Sequence, residues 1–211
     1  MTDPITNLNR LMQQLKPHQT EIISFEAGDP DENPWVQGSP AIVKDLQVVP
    51  FDPKWLQTFA IWENRIQQAL GKKALSISHV GSTAVPGLAA KPIIDIDLIV
   101  KDPSHEADYI SALEALGFKL TIREPSWYQH RMLKHRTPEI NLHVFAPNCP
   151  EHLRHLLFRD WLQAHPEDCE QYATAKNLAL NGAITTEIYN QQKSAVVKAI
   201  YDKIFTVLQN I

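Results

Sequence analysis

The sequence predicts an α+β fold, a mixed β-sheet with packed helices and a C-terminal helical segment. Two observations predict it. Between residues 41 and 150, short apolar runs of period two alternate with helix-start signals. After Pro150 the period of two disappears, and helical spacing runs to the end. With 44% hydrophobic and 21% charged residues over 211 positions, the chain has the material for a packed core.

The first forty residues read as an N-terminal extension. Asp3 caps a helix that has Pro4 in its first turn and Ile5, Leu8, Leu11, Met12 and Leu15 at helical spacing, and Pro17 ends it. Gly28 to Pro40 is a loop of turn-forming residues. The main domain is expected over 41–211. Ile42 to Val49 reads as a strand. Asp52-Pro53 starts a helix whose apolar face is Trp55, Phe59, Trp62, Ile66 and Ala69, and Gly71 closes it. Ala74 to His79 and Pro92 to Val100 are strands, with Val80 to Gly87 a loop between them. Asp102-Pro103 starts a second helix, ended by Gly117. Phe118 to Arg123 alternates, with Phe118, Leu120 and Ile122 on one face. His130 to Lys134 and Ile140 to Phe145 are two further strands, and helices follow over 151–164, 167–180 and 186–209.

Composition narrows the function classes. The formal charge is −4, from 20 basic and 24 acidic residues, which argues against nucleic acid as the partner. Two cysteines, Cys149 and Cys169, are too few for a disulfide scaffold and fit a reducing cytoplasm. No basic segment leads into an apolar stretch at the N-terminus, and no apolar run approaches the ~20 residues of a membrane span. The expectation is a cytoplasmic protein with no membrane partner.

The run Ile93-Ile94-Asp95-Ile96-Asp97-Leu98-Ile99-Val100 carries the most chemistry. On a strand Asp95 and Asp97 share one face, and Ile94, Ile96 and Leu98 share the other. Two same-face carboxylates lie about 7 Å apart along a strand and repel each other. A cation between them relieves this, and Mg²⁺ suits such a site because it takes carboxylates together with substrate phosphates. A solvated strand face, or pairing with Arg or Lys, explains the pattern equally well on spacing alone. Gly81-Ser82, directly after a strand, adds a backbone N–H and a hydroxyl able to approach a phosphate. A phosphate cradle followed by carboxylates is the set of parts that phosphoryl transfer needs.

Gly81-Ser82 with Asp95-x-Asp97 resembles the signature of the nucleotidyltransferase superfamily typified by DNA polymerase beta. The string from His79 to Ile96 closely resembles the GrpB family of that superfamily. So do Val49 to Trp55, Arg123-Glu124-Pro125, His130-Arg131, Asn141 to Phe145, Phe158-Arg159-Asp160, His165-Pro166, Tyr172, Lys176, Tyr189 and Lys193. The resemblance covers about residues 45 to 205. It implies a small mixed sheet with helices behind it, and transfer of a nucleoside monophosphate from a nucleoside triphosphate to an acceptor with Mg²⁺ or Mn²⁺. It names no acceptor. Some relatives are fused to dephospho-CoA kinase, which suggests a helper role.

By this resemblance Asp95 and Asp97 carry the metal and the catalysis. Ser82 and the Gly81–Thr83 backbone hold phosphates, and Lys91, Arg131, Lys176 and Lys193 offset their charge. Arg123 and Arg159 are further candidates. Lys176 and Lys193 lie four residues after Tyr172 and Tyr189, so a wall of Tyr and Lys facing the sheet is expected. The superfamily's third acid is replaced by His143. That histidine is either a ligand or general base, or the mark of a catalytically reduced fold that binds a nucleotide or a protein partner. The histidines lack zinc-motif spacing, and neither a Gly-x-Ser-x-Gly elbow nor a Walker-type loop is present.

Overall fold

The computed structural model describes residues 3–36, 47–179 and 186–211. Its centre is a five-stranded mixed sheet. The strands are β1 (Ser76–Val80), β2 (Ile94–Ile99), β3 (Lys119–Glu124), β4 (His130–Arg136) and β5 (Glu139–Phe145). Their order is β1-β2-β5-β4-β3. Only β2 and β5 run parallel; every other neighbouring pair is antiparallel. The helices are α1 (Pro4–Leu15), α2 (Gln19–Ile23), α3 (Lys54–Leu70), α4 (Ile110–Ala115), α5 (Pro150–Ala164), α6 (Pro166–Ala179) and α7 (Thr186–Gln209). This is the expected α+β class, a mixed sheet with packed helices and a C-terminal helical segment.

The period of two sorts the sheet into two faces. Ile94, Ile96 and Leu98 pair in register with Ile140, Leu142 and Val144, and this apolar face packs on Trp55, Trp62 and Ile66 of α3 and Leu113 of α4. Register partners point the same way. The opposite face therefore carries Asp95, Asp97, Asn141 and His143, and α5 lies across it. The far side of α5 supplies Leu153, Leu157 and Trp161 to a second core with Ile200, Ile204 and Leu208 of α7. Leu8, Met12 and Leu15 of α1 and Ile22 of α2 complete that core, each burial contributing about 1.5–3 kcal/mol.

Several local expectations change. Asp3 does cap α1, accepting from the Thr6 N–H at 3.1 Å, but Pro17 diverts the chain into a 3-10 turn and α2. On α3, Leu70 takes the last buried place and Ala69 is exposed, because position 70 is one turn beyond Ile66. Asp102 caps a turn at Ser104, and the helix after it is only Ile110–Ala115. A bulge between Leu120 and Ile122 breaks the alternation of β3. Leu120 pairs with Leu133 on the α3 side, whereas Ile122 pairs with Met132 on the aspartate side. Most of the expected Ile42–Val49 strand lies outside the described residues, and Val49 makes a single bridge to Ala90. No helix among the described residues is long and apolar enough to cross a membrane.

Candidate functional site

β2 brings both aspartates to the face covered by α5. Asp97 is wholly buried. His152 Nδ1 donates to its Oδ2 at 2.8 Å, and His155 Nδ1 reaches Oδ2 at 2.9 Å and Oδ1 at 3.1 Å. Three residues apart on α5, the two imidazoles project to the same side. Burial works to raise the Asp97 carboxyl, but the His155 charge and the two imidazole bonds outweigh it and hold the group below the usual carboxylate range. Burial likewise works to lower His155, but Asp97 and Glu151 push it up to about 10. An imidazolium therefore rests on a carboxylate at the centre of the site.

Asp95 accepts from Asn141 Nδ2 at 2.8 Å. Burial pushes its carboxyl up, and the Asn141 bond with the charges of His155 and Lys193 opposes that shift. Gly81 has φ 68°, and a Cβ there would lie 2.5 Å from Asp95 Oδ2 and 3.1 Å from its Cβ. Glycine is thus required by the Asp95 carboxylate packed against it, where sequence reasoning assigned it to phosphate approach.

Ser82 is half-buried, and its hydroxyl makes no hydrogen bond among the described residues. The chain turns into a 3-10 helix at Ser82–Ala84, whose leading N–H groups lack partners within the turn. The side chain of Thr83 serves the fold. It is buried, donates to the Ile93 carbonyl at 3.1 Å and lies 3.0 Å from His79 Nε2, so its hydroxyl ties the loop to the sheet and leaves only its backbone for a ligand.

The lysines do gather. Lys176 is buried on α6, donates to the Ala89 carbonyl and sits 4.9 Å over the Tyr172 ring. Lys193 on α7 donates to the Tyr172 hydroxyl at 3.4 Å. Burial, then the charge of Lys193, lowers Lys176 to about 7 and Lys91 to about 8. Tyr172 and Lys176 are buried and Lys193 reaches the Tyr172 hydroxyl, with Tyr172 packed in the second core against Phe158 of α5; the Tyr189 side chain lies outside what is described. Lys134, unremarked in the sequence, pairs with Asn141 on the same face.

Arg131 does not reach this site. It pairs in register with Val144, which puts it on the α3 side of the sheet, and its Nε donates to Glu106 Oε1 at 2.6 Å. Arg123 grips the same Glu106 through two bonds of 2.6 Å. Arg159 on α5 does lie near the loop, donating to the His79 carbonyl at 2.9 Å. His143 pairs in register with Asp97. Its Nδ1 lies 3.0 Å from His130 Nε2, and burial followed by His130 lowers it to about 3.

As arranged, these donors do not fit the expected Mg²⁺ centre. Both Asp97 oxygens meet imidazole nitrogens, one Asp95 oxygen holds Asn141, and the residue beside Asp97 on β5 is the imidazole of His143 in place of a carboxylate. Among the described residues, no three His, Cys, Asp or Glu side chains are gathered so as to hold a metal. Sequence reasoning missed His152 and His155. Their spacing of three on a helix was the available signal, but not the face to which α5 packs.

The model of the family described as "GrpB protein" matches residues 45–203. The chain belongs to the GrpB family. A UPF0157 protein of Halalkalibacterium halodurans is 45% identical over 156 residues, covering 74% of this chain and 80% of that one. The crystal structure of the conserved protein GrpB from Enterococcus faecalis matches with a TM-score of 0.66 and 29% identity, over 76% of this chain and 98% of that one. A dephospho-CoA kinase of Mycobacterium bovis is 30% identical over 156 residues, spanning 62% of this chain and 38% of the kinase. The GrpB match begins after α1 and α2, so the helices that complete the second core lie outside it.

Proposed function

We propose that this GrpB-family chain binds the phosphate chain of a nucleotide through lysine side chains and the Gly81–Thr83 backbone. On this reading it is a nucleotidyltransferase fold in which a histidine–aspartate network stands in the metal's place. The observation that carries it is the bonding of His152 and His155 to Asp97. In a site of bare carboxylates, a metal is needed to join them to phosphate. Here an imidazolium already neutralises Asp97, so the repulsion a phosphate would meet is reduced. Lys91, Lys176 and Lys193 lie close enough to feel one another's charge, and an anion among them would relieve that repulsion.

Binding of a nucleoside and its mono-, di- and triphosphate tests this by calorimetry. Affinity is expected to rise with each phosphate. Equal affinity for nucleoside and triphosphate, or no binding at all, would overturn it. A second reading, transfer of a nucleoside monophosphate, is favoured by the placement of Asp95 and Asp97 on one face beside the Gly81-Ser82 loop. Transfer forms a bond from the acceptor oxygen to the α-phosphorus and releases pyrophosphate. Sustained pyrophosphate release with Mg²⁺ or Mn²⁺, abolished by Asp95→Asn, would establish transfer in place of simple binding.

A further inference from the structure

A chain of side chains leads away from the site through β4. Glu124, at the end of β3, accepts from His130 Nδ1 at 2.7 Å, and His130 Nε2 lies 3.0 Å from His143 Nδ1. His130 is buried, its ring nearly coplanar with that of His143 (centroids 5.2 Å, 20° between planes) and 4.9 Å from that of Phe145, with Trp127 edge-on at 5.3 Å. The His143 ring then meets His155 edge-to-face at 5.9 Å. Nothing else hydrogen-bonds His143 among the described residues, so its Nε2, across the ring from Nδ1, is unpaired on the side away from His130.

We propose that Glu124 and His130 are positioning residues that fix the tautomer of His143, leaving a lone pair on its Nε2. The direction follows from hydrogen-bond donors and acceptors. An ionised carboxylate only accepts, so the bond to Glu124 places the His130 proton on Nδ1. A neutral imidazole has one N–H, so His130 Nε2 then accepts. The bond between the rings therefore takes its proton from His143 Nδ1, and His143 Nε2 is left as an acceptor.

The consequence is chemical. An acceptor at that position takes a hydrogen bond from a hydroxyl or amine of whatever occupies the site, and it is available as a base toward that group. A bare phosphate oxygen would meet two lone pairs there and is disfavoured. The inference stands on the hydrogen-bond order of a neutral His130, since an imidazolium there would donate from both nitrogens, and it holds whether or not the ligand is a nucleotide.

Nitrogen NMR of the full chain, labelled in its histidines and held near pH 8, tests it directly. The His143 signals are assigned by their loss in His143→Asn. The expected result is a protonated Nδ1 and a bare Nε2 in the wild type. Glu124→Gln, whose amide oxygen still accepts from His130, should preserve the pattern. Glu124→Ala and His130→Phe should each return His143 toward the Nε2-protonated form. A wild-type His143 already protonated on Nε2 overturns the proposal, as does a pattern unchanged in both Glu124→Ala and His130→Phe. If either variant fails to fold, the wild-type tautomer alone decides.

Discussion

Gly81 and Asp97 show how single residues set this site. At Gly81, a methyl group would meet a carboxylate that Asn141 holds in place, at a backbone conformation L side chains avoid. Gly81→Ala is expected to lower unfolding free energy by about 1–3 kcal/mol in urea titration. Adding Asp95→Ala should recover part of that loss, since the two changes share one clash. At Asp97, removing the charge strands the imidazolium of His155. Asp97→Asn should cost about 3 kcal/mol near pH 6. The raised pKa of His155 means its contribution is complete below its ordinary value of 6.5 and is lost as pH rises through about 10. The depressed pKa of Asp97 means its contribution is lost in acid, below the ordinary carboxylate value. The stability gap between wild type and Asp97→Asn should therefore be widest between about pH 4 and pH 6.5 and close toward pH 10. A gap independent of pH would show that the pair is not ionised.

At the scale of elements, α5 is the part on which two layers depend. One side offers His152, His155 and Arg159 to the sheet, and the other holds the apolar residues of the second core. Arg154, fully buried, ties the N-terminal segment to it. Its Nη1 donates to the carbonyls of Ile22, Ser24 and Glu21 at 2.9, 3.2 and 3.3 Å, and its Nη2 donates to the Tyr128 hydroxyl at 3.1 Å. Arg154→Met would leave those carbonyls without a donor and should destabilise the protein by roughly 2–4 kcal/mol. Protection of the α2 amides in hydrogen exchange should fall first. The α3 stripe was legible because four apolar residues at helical spacing admit one reading. The face of the aspartates was legible because a period of two fixes it. The bulge in β3 was not, because it depends on pairing with Met132 and on the bridge of Trp35 to Ile122, a contact across more than eighty residues. The apolar stripe of α1 could be read locally, yet its partner α5 lies some 140 residues away.

At the scale of the whole molecule, lysines far apart in the chain, Lys91, Lys176 and Lys193, come close enough to affect one another's charge. Lys176 and Lys91, at about 7 and about 8, are partly neutral in the free protein near and above those values. A bound phosphate chain would favour their protonated forms. Nucleotide binding should therefore take up protons, and affinity should fall as pH rises from about 7 to 9. Calorimetry in buffers of different ionisation heat reads the uptake, and zero uptake would remove the lysines from the contact. The sequence assembled most of this cluster through Lys91, Lys176 and Lys193, but it also included Arg131. The family resemblance of His130-Arg131 suggested Arg131, whereas alternation along β4 turns it to the opposite face. The most direct measurement is titration of the intact chain with a nucleoside triphosphate in the presence of EDTA, beside Lys193→Ala. The account predicts that binding persists without divalent metal and weakens about tenfold or more in the variant, a loss of roughly 1.4 kcal/mol. Binding that appears only with Mg²⁺, and that vanishes in Asp95→Asn while Lys193→Ala binds as wild type, would contradict it.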